Sequence, residues 1–408
     1  MRKILSCIVV VMALLASTLI IAVTSAATAG IPGDDDGNGQ LTEAELAGNI
    51  LDYLRGRSDL SLDEVRDAAH VFAYWDGKPR TVVDTAKRTV TIYKPVKKIV
   101  VLSSDSARAV RIFGAEDKVV GISETIQNGP FFFPEMSQKP VVGSWKEVDW
   151  EAIVELNPDL VVTYATGSIN ADLAAEKLEP FGITVVGLEL YVTSEYDRIF
   201  DELGKLAILL EREEEAERYI EWHDKYLARV EVFVEGKEKP DVFATYTAGA
   251  IGTTVIKCYG PGSIDYLLCE KAGGRSITEN FTTDYPKVSA EWVLKENPDI
   301  VILKCGRVYG WWDSESKPAD LVNQLLDGKS WDTMNATVNE QIYAVPWSIS
   351  NGLEHIYGVV LLAKIFYPEL DIDPAEVYRE YLEDFLRVEY PEAECKVLAY
   401  SDSITFTT

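Results

Sequence analysis

Residues 34–45 read DDDGNGQLTEAE, and their spacing suits the binding of a hard divalent cation. Asp34, Asp36 and Asn38 alternate as oxygen donors, Gly39 allows a sharp turn, Gln40 offers its backbone carbonyl, and Glu45 closes the twelve-residue loop as a two-oxygen ligand. Calcium needs six or more oxygens, and this pattern supplies them. A solvated acidic turn is the plainer alternative. Covalent chemistry finds little support. His70, His223 and His355 are scattered, and there is no H-E-x-x-H, C-x-x-C, G-x-S-x-G or P-loop pattern. The pattern points away from an enzyme.

Other side chains of chemical interest are aromatic. Two stretches organise their placement: DWEAIVELNPDLVV at 149–162 and SAEWVLKENPDIVI at 289–302, 140 positions apart, with five of fourteen positions identical. Each reads as a short helix, a proline stop, and an aliphatic run expected of a buried parallel strand. Such a long, regular offset predicts two lobes of one α/β design. Ligands of open parallel sheets bind outside the carboxyl ends of the strands. That rule brings Tyr164 and Tyr191 of the first lobe to an interlobe cleft, together with Tyr246, Tyr259, Arg307, Tyr309, Trp311, Trp312, Trp347 and His355 of the second. Aromatic faces and one guanidinium suit a large planar or chelate ligand by stacking and charge pairing, although several of these rings could simply pack between layers.

The remaining elements follow in order. Arg2 and Lys3 precede an apolar stretch and an A-x-A site at 27–29, so residues 1–29 read as an export signal or an N-terminal anchor. Residues 30–78 read as a small helical calcium module. A hairpin over 81–93 opens the first lobe (79–210). A helix from Glu211 to about Val234 connects it (211–237) to the second lobe (238–400). A net charge of −27 argues against nucleic-acid binding. Cys258, Cys269, Cys305 and Cys395 allow three full pairings, and the sequence does not choose.

Four segments carry a resemblance: KKIVVLSSDSARAVRIFGAEDKVVGIS, VGSWKEVDWEAIVELNPDLVVT, FGITVVGLELYVTS and YPKVSAEWVLKENPDIVIL. In this order they are similar to the periplasmic binding proteins for iron–siderophore complexes, haem and vitamin B12. Residues 34–55 resemble the loop–helix half of an EF-hand or dockerin. The first resemblance implies two α/β lobes with parallel sheets joined by one long helix, and small closure movements. It also implies capture of a metal chelate or cobamide for an ABC importer, with Glu151 and Glu291 docking on arginines of the membrane permease. Two other readings stay open: a calcium-dependent cell-surface interaction protein with a vestigial cleft, and a cofactor-handling enzyme of similar lobe fold.

Overall fold

A computed structural model describes residues 30–144, 146–191, 195–305, 316–350, 352–391, 398 and 399. Two helices, α1 (Glu43–Leu54) and α2 (Leu62–Tyr74), come first. Each starts on a reciprocal capping box, Thr42 with Glu45 and Ser61 with Glu64. The hairpin β1 (Arg80–Val83) and β2 (Thr89–Ile92) follows in antiparallel register.

The first lobe is a four-stranded parallel sheet of β3 (Ile99–Val101), β4 (Val119–Ile122), β5 (Leu160–Thr163) and β6 (Thr184–Gly187), in the order β4-β3-β5-β6. Its helices include α3 (Ser104–Ile112), α4 (Trp150–Leu156), α5 (Ala171–Leu178) and α6 (Arg198–Leu210). The connector α7 (Glu213–Val234) has 22 residues, about 33 Å at 1.5 Å per residue. It begins two residues later than the sequence pattern predicts, because Glu211 takes a left-handed conformation that ends α6.

The second lobe is built on β7 (Asp241–Tyr246), β8 (Val255–Lys257), α8 (Ile264–Lys271), β9 (Arg275–Ser276), β10 (Lys287–Ser289), α9 (Ala290–Glu296), β11 (Ile300–Cys305), α10 (Ser316–Leu326), β12 (Ile342–Pro346), α11 (His355–Phe366), α12 (Pro374–Glu380) and β13 (Leu398–Ala399). Its main sheet runs β13-β12-β11-β7-β9, parallel except for β13, while β8 and β10 form a separate antiparallel pair. The two repeats fall on α4–β5 and α9–β11. Their helices end on left-handed asparagines, Asn157 (φ 47°) and Asn297 (φ 50°). The prolines that follow keep the chain from continuing, but asparagine, which tolerates this conformation, makes the turn.

Strand alternation explains the packing. Val100 and Val161 face an outer cluster, whereas Ile99, Val101, Leu160 and Val162 face inward. In the second lobe, Val301 and Leu303 face outward, and Ile300 and Ile302 face inward. The inward residues of both lobes join one continuous apolar core with Tyr219, Trp222, Tyr226 and Val230 of the connector. Ile31, Leu41, Ala68, Val71 and Trp75 belong to it as well. Residues 30–78 are therefore fused to the first lobe rather than hung from it. His70 Nε2 lies 2.6 Å from Glu211, Trp75 Nε1 donates to the same carboxylate at 3.2 Å, and Lys97 pairs with Asp67 at 2.7 Å.

The connector is held from both sides. Trp222 Nε1 and Tyr226 Oη donate to Glu380 at 2.7 and 2.8 Å, Tyr219 Oη donates to the Leu353 carbonyl, and His223 Nε2 meets Tyr196 Oη at 2.9 Å. Beyond α12 the chain returns to the first lobe, where the buried Arg111 donates through Nε to the Leu386 carbonyl at 2.8 Å. Among the described residues no helix is long and apolar enough to cross a membrane.

Candidate functional site

The carboxyl edge of the first sheet carries two of the expected tyrosines. Tyr164 follows β5, and its hydroxyl donates to Asp105 at 3.1 Å. Tyr191 stands edge-on to it, with ring centroids 6.3 Å apart. Burial raises the Asp105 carboxyl above its ordinary range, against the pull of the Arg108 guanidinium. Burial, then the Asp105 charge, raises the Tyr164 phenol, so this tyrosine stays a donor. Thr166 and Arg198 hold Glu189 at 2.7 and 2.6 Å.

The matching edge of the second lobe holds three tyrosines in a row. Tyr246 ends β7, with Tyr259 5.8 Å away and Tyr285 6.1 Å beyond that. Tyr246 is half-buried and Tyr285 is 48% exposed, whereas Tyr259 is 1% exposed. Tyr259 therefore backs the wall instead of presenting a face. Lys257 caps the row, its Nζ 4.8 Å from the Tyr285 ring and 5.7 Å from Tyr246. Neither Lys257 nor Tyr285 had been singled out in the sequence, where a lone lysine in a strand carries no signal.

His355 requires a correction. Its side chain is fully buried, its ring 4.8 Å from both His223 and Tyr196, and its Nδ1 lies 3.0 Å from the Gly352 carbonyl. It joins the connector to α11 instead of lining the opening. Trp347 begins a short helical turn, Trp347–Ser350, after β12. Arg307, Tyr309, Trp311, Trp312 and Cys395 lie outside the described residues. Cys258, Cys269 and Cys305 are buried, and no disulfide joins these three to one another.

Beside the first wall, joined to it through Asp105, lies an interlobe ion pair with no local sequence signal. Arg108 of α3 reaches Glu354, which precedes α11, at 3.4 Å, and the two side chains are 13% and 5% exposed. The guanidinium also covers the Phe132 ring at 4.8 Å. Asp105 and Glu354 converge on Gly352 (φ +81°), where a Cβ would lie 3.2 Å from Glu354 Oε2 and 3.5 Å from Asp105 Oδ1. Burial lifts Glu354 to about 7, although Arg108 opposes the shift.

Glu151 and Glu291 occupy equivalent first-turn positions, after the caps Asp149 and Ser289. Both are exposed and make no ion pair among the described residues. The Ser289 hydroxyl holds Glu291 below the usual carboxylate range. A groove of about 860 Å³ opens beside Glu151, edged by Glu124, Glu147 and Asp149.

At the N-terminal loop, carboxylate oxygens of Asp34, Asp36 and Glu45 lie within 4.8 Å of one another. Asp34 accepts from the backbone of Asn38 and Gly39 at 3.2 and 2.8 Å, and Asn38 accepts from Gln40 N at 2.8 Å. These bonds coil the loop so that its acids face one point.

Comparison with known proteins accords with this architecture. A family model described as periplasmic binding protein matches residues 99–348. The vitamin B12-binding protein of Salmonella typhi is 30% identical over 210 residues, covering 51% of this chain and 74% of that protein. The cobalamin-binding protein of Halobacterium salinarum (strain ATCC 29341) is 27% identical over 230 residues, covering 55% and 58%. Among solved structures, the TroA-like periplasmic binding protein FepB from Veillonella parvula superposes with a TM-score of 0.63 at 22% identity, covering 76% of this chain and 97% of that one. These relatives are binding proteins rather than enzymes, which accords with the absence of a catalytic constellation. Two parallel-sheet lobes bridged by a single helix, together with a family match over 99–348, show that this chain belongs to the periplasmic binding protein family.

Proposed function

We propose that the protein is an extracytoplasmic receptor that captures a metal chelate between its lobes (an iron–siderophore, haem or a cobamide) and delivers it to an ABC importer. The carrying observation is the pair of tyrosine walls, Tyr164–Tyr191 and Tyr246–Tyr259–Tyr285, at the carboxyl edges of the two sheets. Aromatic faces grip a broad ligand without needing a buried charge. Relatives named for vitamin B12 and cobalamin support a cobamide as the first ligand to try. A rigid connector with one continuous core suits a receptor that closes little on its ligand.

Glu151 and Glu291 are the docking points for the permease in this reading: one exposed carboxylate per lobe, each at a helix start. The test is uptake by cells carrying the cognate importer, with Glu151 and Glu291 both exchanged for arginine. Transport should be abolished while ligand affinity stays at the wild-type value. Undiminished uptake would remove the docking assignment.

The loop at 34–45 is proposed to hold calcium through Asp34, Asp36, Asn38, Glu45 and the Gln40 carbonyl. Because Ile31, Leu41 and Trp75 enter the core of the first lobe, the ion would stabilise the fold at that point. Added calcium should raise the melting temperature of the wild type and leave Glu45→Gln unmoved. An equal rise in both would refute the site.

A further inference from the structure

The tyrosine row of the second lobe holds a lysine that makes no ion pair among the described residues. Lys257 Nζ stands over two ring faces, Tyr285 at 4.8 Å and Tyr246 at 5.7 Å, and among the described residues it has no carboxylate within ion-pair reach. Lys257 is half-buried in a chain with 66 acidic residues against 39 basic ones. Two carboxylates act on this wall, and Asp265 is engaged elsewhere. Asp265 is bound to Lys304 Nζ at 2.5 Å, and the Asp284 carboxylate lies against the turn at Gly262, where a Cβ would sit 2.3 Å from its Oδ1. A second polar group of the wall is also unsatisfied: the buried Tyr259 hydroxyl has no hydrogen-bond partner among the described residues. Buried donors are ordinarily paired, and each exception calls for an explanation. An ammonium over aromatic faces has part of its water replaced by the rings and can still receive an anion.

Resting on the receptor reading above, we infer that Lys257 selects cargo that presents an anionic oxygen group to the second lobe. Tyr246 and Tyr285 would flank that group. A phosphodiester on a cobamide and a carboxylate on a ferric chelate share this chemistry.

The experiment compares wild type, Lys257→Gln and Lys257→Arg by calorimetric titration with three probes. These are cyanocobalamin, cobinamide (the same corrin without the phosphodiester) and ferric citrate. Cyanocobalamin affinity that falls about tenfold in Lys257→Gln and is retained in Lys257→Arg, with cobinamide unaffected by either change, identifies a phosphodiester. The same tenfold loss confined to ferric citrate identifies a carboxylate. Equal losses on cyanocobalamin and cobinamide, or no loss on any probe that binds, overturn the inference. Failure of the wild type to bind any of the three overturns the receptor reading for these cargoes, and the Lys257 inference falls with it. Unchanged melting temperatures across the three proteins exclude a folding effect.

Discussion

Removing Arg108 should test whether the interlobe ion pair fixes the two lobes on each other. In Arg108→Met the Asp105 and Glu354 carboxyls lose their shared cation, and Phe132 loses the guanidinium that lies 4.8 Å over its ring. Breaking a buried pair by deleting one partner costs about 3–5 kcal/mol. For a chain of this length that corresponds to a fall of about 4–6 °C in melting temperature. The loss should depend on pH. Burial already holds both carboxyls above their ordinary values, with Glu354 at about 7, and losing Arg108 raises them further. A group whose folded pKa is raised contributes stability at low pH and loses it as pH rises through the folded value. The variant should therefore lie closest to wild type near pH 5 and furthest from it near pH 8. Adding Glu354→Gln should recover part of the loss, because the stranded charge is gone. Calorimetric melting of the four proteins of this cycle at both pH values is the assay. A deficit below 1 °C, or one of equal size at pH 5 and pH 8, would refute the reasoning.

Gly358 lies inside α11, where alanine should favour a helix by about 1 kcal/mol. A Cβ there would meet the Ile349 carbonyl oxygen at 1.9 Å, so Gly358→Ala should instead destabilise by roughly 1–3 kcal/mol in a denaturant melt. A stabilised variant would contradict the packing. His223 is held neutral by burial, to about 3, and His355 is pushed down by burial and by His223 beside it. A histidine with a depressed folded pKa contributes stability above the unfolded value near 6.5 and loses it as pH falls below that. The loss is about 2 kcal/mol each by pH 5. His223→Gln should lose correspondingly less between pH 7 and pH 5, and identical pH profiles would show that the buried pair does not govern acid stability.

Much of this architecture was legible because it repeats. The two Asn-Pro-Asp stretches fixed two α/β units, and the aliphatic runs after them became β5 and β11. The helical rhythm from Ala216 to Phe233 marked the connector. His355 was misplaced for a physical reason: α11, HIYGVVLLAKIF, is buried on almost every side, so its periodicity gives no information about which face meets a cleft. The Arg108–Glu354 pair joins residues far apart in the chain, and neither carries a local mark of its partner. Residues 30–78 read as a small calcium module because the calcium-loop pattern is local. Only the burial of Ile31 and Leu41 reveals that they share the first lobe's core. Tyr259 was placed at the cleft by the strand-end rule, which says nothing about how deep a side chain sits.

The most direct test of the central claim is calorimetric titration of the calcium-loaded protein with cobalamin, haem and a panel of ferric chelates. The account predicts one-to-one, sub-micromolar binding of one of them, weakened when Tyr164 and Tyr246 are each exchanged for alanine. Absence of binding across the panel, or binding that ignores both tyrosines, would contradict it.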